Sequence, residues 1–95
     1  MRFEWDDKKA VENLAKHGVN FGEATEVFYD PNAIEGYDSG HSFEESRFFI
    51  IGLSSRRLLY VVDAERAADL VRIISARKAD RADQEICERT RTINP

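Results

Sequence analysis

Three cations sit in or beside one short apolar run, Val71-Arg72-Ile73-Ile74-Ser75-Ala76-Arg77-Lys78-Ala79. A guanidinium presents paired donors that match phosphate oxygens, so the run reads as an anion site. Arg77 and Lys78 fall where a strand meets a helix opening at Asp80, and backbone N–H groups at that helix start add positive field. Arg77 there can hold a phosphate oxygen that gains charge in a transition state. The plainer alternative is an ion pair with Asp83, Glu85 or another carboxylate. Regular alternation puts Arg72 on the sheet face opposite Arg77. The two line one cleft only if a bulge or the strand end breaks the alternation.

Glu45 and Arg47 are two residues apart at the start of another strand and can share a face. Such a pair can act as general base and phosphate clamp, or simply as an edge ion pair. His17 follows Lys16, and an ordinary histidine pKa of about 6.5 suits proton transfer at neutral pH. A histidine before Gly18 also suits a plain helix C-terminus. Trp5 and Tyr60 can stack on a base, although core packing is the simpler role for both. His17 and His41 are far apart and neither stands among other ligands, so no metal site is expected. With no Gly-rich phosphate loop or nucleophile elbow either, no cofactor is expected.

These residues need elements to hold them. Phe3 and Trp5 alternate with Arg2 and Glu4 as in a short strand. Asp6 can cap a first helix, with Trp5 stapled onto Ala10 and Ala10, Val11, Leu14 and Ala15 as the buried stripe. Gly18 stops it. Asn20 with Glu23 starts a second helix carrying Phe21, Ala24, Val27 and Phe28, ended by Asp30-Pro31. A short strand is expected at Ala33–Glu35, then a polar loop over Gly36–Glu45. Phe48–Leu53 and Leu58–Val62 read as a buried hairpin, Ala64–Leu70 as a polar connection, and Val71–Ala76 as the last strand. Asp80 with Asp83 caps a final helix reaching about Arg89, with Ala79, Ala82 and Ile86 inward. The order is β-α-α-β-β-β-β-α, an α+β domain with helices packed on an antiparallel sheet.

Ninety-five residues make one domain, residues 1–95. The net charge of −4 argues against nucleic-acid binding by bulk charge. The charge is uneven: residues 1–46 carry net −7 and residues 47–95 net +3, so the second half can present a local positive face. No apolar run approaches a membrane span and no signal-peptide pattern opens the chain. With Cys87 as the one cysteine, a cytoplasmic location is the default expectation.

Phe3-Glu4-Trp5-Asp6, Lys8, Asn13, Lys16-His17-Gly18-Val19, Phe21 and Glu23-Ala24 resemble the opening of the BrnT toxin family. Arg47 before Phe48, Ile51-Gly52-Leu53-Ser54, Glu65-Arg66 and Arg72-Ile73-Ile74-Ser75-Ala76-Arg77-Lys78-Ala79 continue the likeness in order along nearly the whole chain. The resemblance implies a RelE-like fold and metal-independent RNA cleavage in a bacterial type II toxin–antitoxin pair, inhibiting translation. It implies a BrnA-type ribbon-helix-helix antitoxin as partner, with promoter DNA met only through that partner. Glu45, Arg47, Arg77 and His17 would be catalytic; Lys8, Lys16, Arg72 and Lys78 would bind RNA. The chain departs from the family's pattern at Asp80–Gln84, Cys87 and Asp63-Ala64, and Glu44 competes with Glu45 for the acidic position.

In this reading a ribose 2′-OH attacks the adjacent phosphodiester and leaves a 2′,3′-cyclic phosphate. Glu45 or His17 takes the proton, while Arg47, Arg77 and Lys16 stabilise the pentavalent phosphate. The alternative is a non-catalytic binding module or corepressor that has lost nuclease activity.

Overall fold

The computed structural model describes residues 1–38 and 45–93, with side chains through residue 90. His41, Glu44 and most of the expected polar loop lie outside the described residues. The elements are β1 (Arg2–Glu4), α1 (Asp7–His17), α2 (Phe21–Glu26) with a 3-10 turn at Val27–Tyr29, β2 (Ile34–Tyr37), β3 (Arg47–Leu53), β4 (Leu58–Ala67), β5 (Leu70–Lys78) and α3 (Arg81–Ile93). One five-stranded sheet runs in the order β1-β5-β4-β3-β2. Four strands meander antiparallel, but β1 joins the edge parallel to β5, which corrects the expectation of a wholly antiparallel sheet.

Helix starts follow the sequence. The Asp6 carboxylate accepts from the N–H groups of Lys8 and Lys9, and Asn20 Oδ1 accepts from Glu23 N–H at 2.7 Å. Gly18 ends α1 with φ +70°, a conformation that only glycine adopts without strain. Residues 64–70 are not a polar connection. β4 runs on to Ala67 and β5 begins at Leu70, so a turn of two residues joins two long strands.

One sheet face, the helix side, carries Ile50, Leu59, Val61, Val71, Ile73 and Ala76, packed against Val19, Phe21, Ala24 and Val27. Burying each large apolar side chain there contributes about 1.5–3 kcal/mol. Gly52 lies on this face because a Cβ would meet Val27 and Ala33 at 3.1 Å.

Of the stripe expected on α1, only Ala10 packs on the core; Val11, Leu14 and Ala15 do not. Val11 is 70% exposed and Leu14 51%, whereas Asn13 is buried. The cause is where α1 lies. β1 pairs with Leu70–Arg72 only, which leaves the rest of that β5 edge without a strand. Asn13 takes its place: its Nδ2 donates to Ala76 O at 2.8 Å and its Oδ1 accepts from Ala76 N–H at 3.1 Å. The same Nδ2 donates to Val19 O at 2.9 Å. Helix α1 therefore packs by an amide against backbone, and no wide apolar stripe is needed. On α3, likewise, the inward residues are Asp83 and Cys87, while Ala82 and Ile86 are exposed.

Glu23 ties the elements together. Its buried carboxylate accepts from Arg57 Nε and Nη2 at 3.0 and 2.9 Å and from Ser54 Oγ at 2.8 Å. Arg57 also donates to Gly18 O at 2.9 Å, so the β3–β4 turn holds the end of α1. The Arg57 hydrogen bond holds the Glu23 carboxyl below its ordinary value.

Two outcomes check this description. Asn13→Ala should cost about 2–4 kcal/mol in urea unfolding, because it leaves buried backbone groups unpaired, whereas Leu14→Ala should change stability by less than about 0.5 kcal/mol. The stability supplied by Glu23 is present above its unfolded pKa and lost as pH falls through its lower folded pKa. Glu23→Gln should therefore be the less stable protein near neutrality and lose less stability than the parent on acidification.

Candidate active site

A single irregularity in β5 decides which side chains meet. Val62 pairs with Ser75 but Asp63 pairs with Ile73, so Ile74 bulges out of the ladder. The extra residue resets the alternation. Arg72, opposite Ala64, and Arg77, opposite Tyr60, then share the face away from the helix-side core. Regular alternation would have put them on opposite faces.

This back face carries two arrays. At one end a row of charges crosses four strands. Arg72 Nη1 meets Glu4 Oε2 at 2.9 Å, Arg66 meets Glu45 at 3.2 Å and Glu4 at 3.9 Å, and Glu45 lies 3.9 Å from Arg47. At the other end the Phe49 and Tyr60 rings stack with centroids 5.5 Å apart, and the Arg77 guanidinium lies 4.2 Å from the Tyr60 centroid. Phe49 covers Gly36, where a Cβ would collide with its ring. Burial pushes the Tyr60 phenol above its ordinary value, so it stays neutral at physiological pH.

Arg77 is held from a second side. Its Nη1 donates to Asp83 Oδ2 at 2.7 Å, and Asp80 Oδ2 lies at 3.7 Å. Asp83 and Asp80 also cap α3 reciprocally, each carboxylate accepting from the other's N–H at 2.9 Å. The Asp83 backbone N–H is the main cause of a lowered Asp80 pKa. The guanidinium that the sequence picks out first is thus an internal tie between β5 and α3.

The open cleft lies elsewhere, between α1 and the back face. Lys9, Glu12, Asn13, Lys16 and His17 line it from α1, Ile74 and Ser75 from the bulge, and Arg47 from β3, around a volume of about 270 Å³. Three cations against one carboxylate make it locally positive in an acidic protein. It can hold a phosphate between Lys9, Lys16 and Arg47 with an imidazole and a hydroxyl beside it.

Of the residues predicted from sequence, this cleft gathers Lys16, His17 and Arg47. Glu45 sits next to Arg47 but is shared with Arg66. Arg72 is on the same face, engaged by Glu4. Arg77 is not in the cleft. Lys78 pairs with Leu59 and so faces the helix side, while Lys8 is exposed and does not line the cleft. Trp5 packs on the core, edge-on to Phe21 at 5.9 Å. Lys9, Glu12 and Ser75 were missed. The i, i+3 and i+7 spacing of Lys9, Glu12 and Lys16 marks one helix face and was the available signal. Among the described residues no group of His, Cys, Asp and Glu is arranged to hold a metal ion, and no helix is long and apolar enough to cross a membrane.

Comparison with known proteins adds to this geometry. The family model described as "Ribonuclease toxin, BrnT, of type II toxin-antitoxin system" matches residues 5–83. The crystal structure of the Brucella abortus ribonuclease toxin BrnT is similar to this fold with a TM-score of 0.65, at 23% identity, over 85% of this chain and 99% of that one. No curated protein matches the chain.

The Arg77 tie is testable by stability. Arg77→Ala leaves the Asp83 carboxylate buried without its cation and should cost about 1–3 kcal/mol in denaturant unfolding. A double-mutant cycle with Asp83→Asn should return a coupling of about 1 kcal/mol or more. Additive single losses would remove the tie.

Proposed function

Because the chain belongs to the BrnT family of ribonuclease toxins from type II toxin–antitoxin systems, we propose that it is a metal-independent endoribonuclease working in the cleft between α1 and β5. A ribose 2′-OH attacks the adjacent phosphorus and the P–O5′ bond breaks, the leaving 5′-oxygen taking a proton from solvent in the open cleft, to give a 2′,3′-cyclic phosphate and a 5′-hydroxyl. His17 takes the proton of the attacking hydroxyl. Lys16 and Arg47 stabilise the charge gathering on the pentavalent phosphate, and Lys9 steers the backbone. The observation that carries this reading is the meeting of Lys16, His17 and Arg47, which are distant in sequence, in one open cleft. Glu45, 3.9 Å from Arg47, is the second candidate for the base. Arg72 extends the basic face along the RNA path. Lys8 and Lys78 lie away from the cleft and are expected to matter little.

Arg77 takes a supporting part here. Bound to Asp83, it holds Tyr60 on the back face between its own guanidinium and the Phe49 ring, which leaves neither face of Tyr60 open to a base. Toxin–antitoxin family membership implies an antitoxin partner. A BrnA-type ribbon-helix-helix antitoxin, promoter DNA reached only through it, translation inhibition and a cytoplasmic location complete the proposal.

The test is cleavage of a defined RNA by purified protein in EDTA. Arg47→Ala and His17→Ala should each slow cleavage on the order of 10²-fold. Arg77→Ala, assayed well below its melting temperature, should stay within a few-fold of the parent. Loss of cleavage in EDTA, with activity restored by a divalent ion, would overturn metal independence. No cleavage by folded parent that still binds RNA would favour the binding-module reading.

A further inference from the structure

The opposite side of the sheet holds a pocket of different character, which the cleavage reading does not use. Met1, Phe28, Glu35, Phe48, Asp63 and Glu65 line a recess, partly open to solvent, of about 110 Å³. It is sized for one side-chain head group, well short of the volume of an ordinary ligand site. Asp63 is only 5% exposed, and no hydrogen bond or ion pair reaches its carboxylate among the described residues. It pairs with Ile73 and so faces the helix side.

A carboxylate buried in this way is costly without a cation. Its charged neighbours make matters worse. Glu35 on β2 and Glu65 on β4 both act on it in the repulsive sense, and burial is the larger effect, pushing Asp63 up to about 7. No lysine or arginine stands among the residues that line the pocket. Phe28 and Phe48 supply aromatic wall, and Val71 closes the apolar side. Carboxylates beside aromatic and aliphatic lining match the two parts of a long basic side chain, whose stem is apolar and whose head is charged. RNA is excluded by the sign of the field. A metal ion is disfavoured because these carboxylates do not converge as a ligand set among the described residues.

We propose that this pocket receives a single arginine or lysine side chain from a protein partner, with Asp63, Glu35 and Glu65 as its counter-charges. The site lies across the sheet from the basic cleft, so partner capture here and RNA binding there are sterically separate. The inference does not depend on the cleavage reading, and its test uses neither RNA nor activity.

The probe is N-acetyl-argininamide, with the neutral isostere N-acetyl-citrullinamide as control, titrated into the intact chain while the Asp63 carboxyl carbon is followed by NMR. The arginine derivative should shift that signal saturably in the millimolar range and lower the Asp63 pKa by about one unit or more. The citrulline derivative should do neither. Replacing the exposed carboxylates together, Glu35→Gln with Glu65→Gln, should weaken binding about ten-fold while the backbone spectrum stays that of the folded parent. No saturable shift in the parent, an equal response to citrulline, or unchanged affinity in the double variant would each overturn the proposal.

Discussion

The arrangement depends on one side chain acting as a strand. Where β1 ends, β5 would expose unpaired N–H and C=O groups, an edge that proteins must pair or cover. The Asn13 amide pairs with both groups of Ala76 and so fastens α1 along that edge. The consequences run outward from there. A helix fixed at Asn13 presents Lys9, Lys16 and His17 to the bulge at Ile74 and Ser75 and toward Arg47. The same helix leaves Val11 and Leu14 in solvent, since its attachment is polar. Arg57, held by Glu23, grips the carbonyl of Gly18 and fixes the end of α1 next to His17.

Charge is sorted by the sheet. The bulge in β5 collects Arg72 and Arg77 with Arg47 on the back face, and the carboxylates Glu35, Asp63 and Glu65 gather on the other side. A net charge of −4 therefore says little about what either face binds. The basic face also limits its own field: Glu4, Glu45 and Asp83 hold Arg72, Arg66 and Arg77 in fixed geometry. Fixed guanidinium groups lose little entropy on meeting a phosphate but are partly neutralised.

Much of the fold was legible because local signals agreed. The caps at Asp6, Asn20 and Asp80, the stop at Gly18 and the apolar hairpin each gave the right element in the right order. Two failures have one origin, since helices here attach through polar groups. Periodicity counts apolar residues, so it picked Val11 and Leu14 over Asn13, and Ala82 and Ile86 over Asp83. The parallel pairing of β1 depends on a long-range register that no local pattern encodes. At the site, Lys16, His17 and Arg47 were readable by residue type, whereas their meeting was not. It depends on the bulge, and Ile73-Ile74-Ser75 has neither the glycine nor the polar break that often marks one. Arg77 drew attention as a cation in a strand, but its anionic partner, Asp83, lay six residues on and belonged to a capping box.

The proposed mechanism requires RNA to bind in the cleft between α1 and β5. The direct measurement is amide chemical-shift mapping of isotopically labelled protein with a short RNA whose 2′-hydroxyls are methylated, so that it binds without being cleaved. The largest shifts should fall at Lys9, Lys16, His17, Arg47, Ile74 and Ser75, with Asp63 and Glu35 unmoved across the sheet. Shifts concentrated around Arg77, Lys78 and the start of α3, with the α1 residues silent, would contradict it.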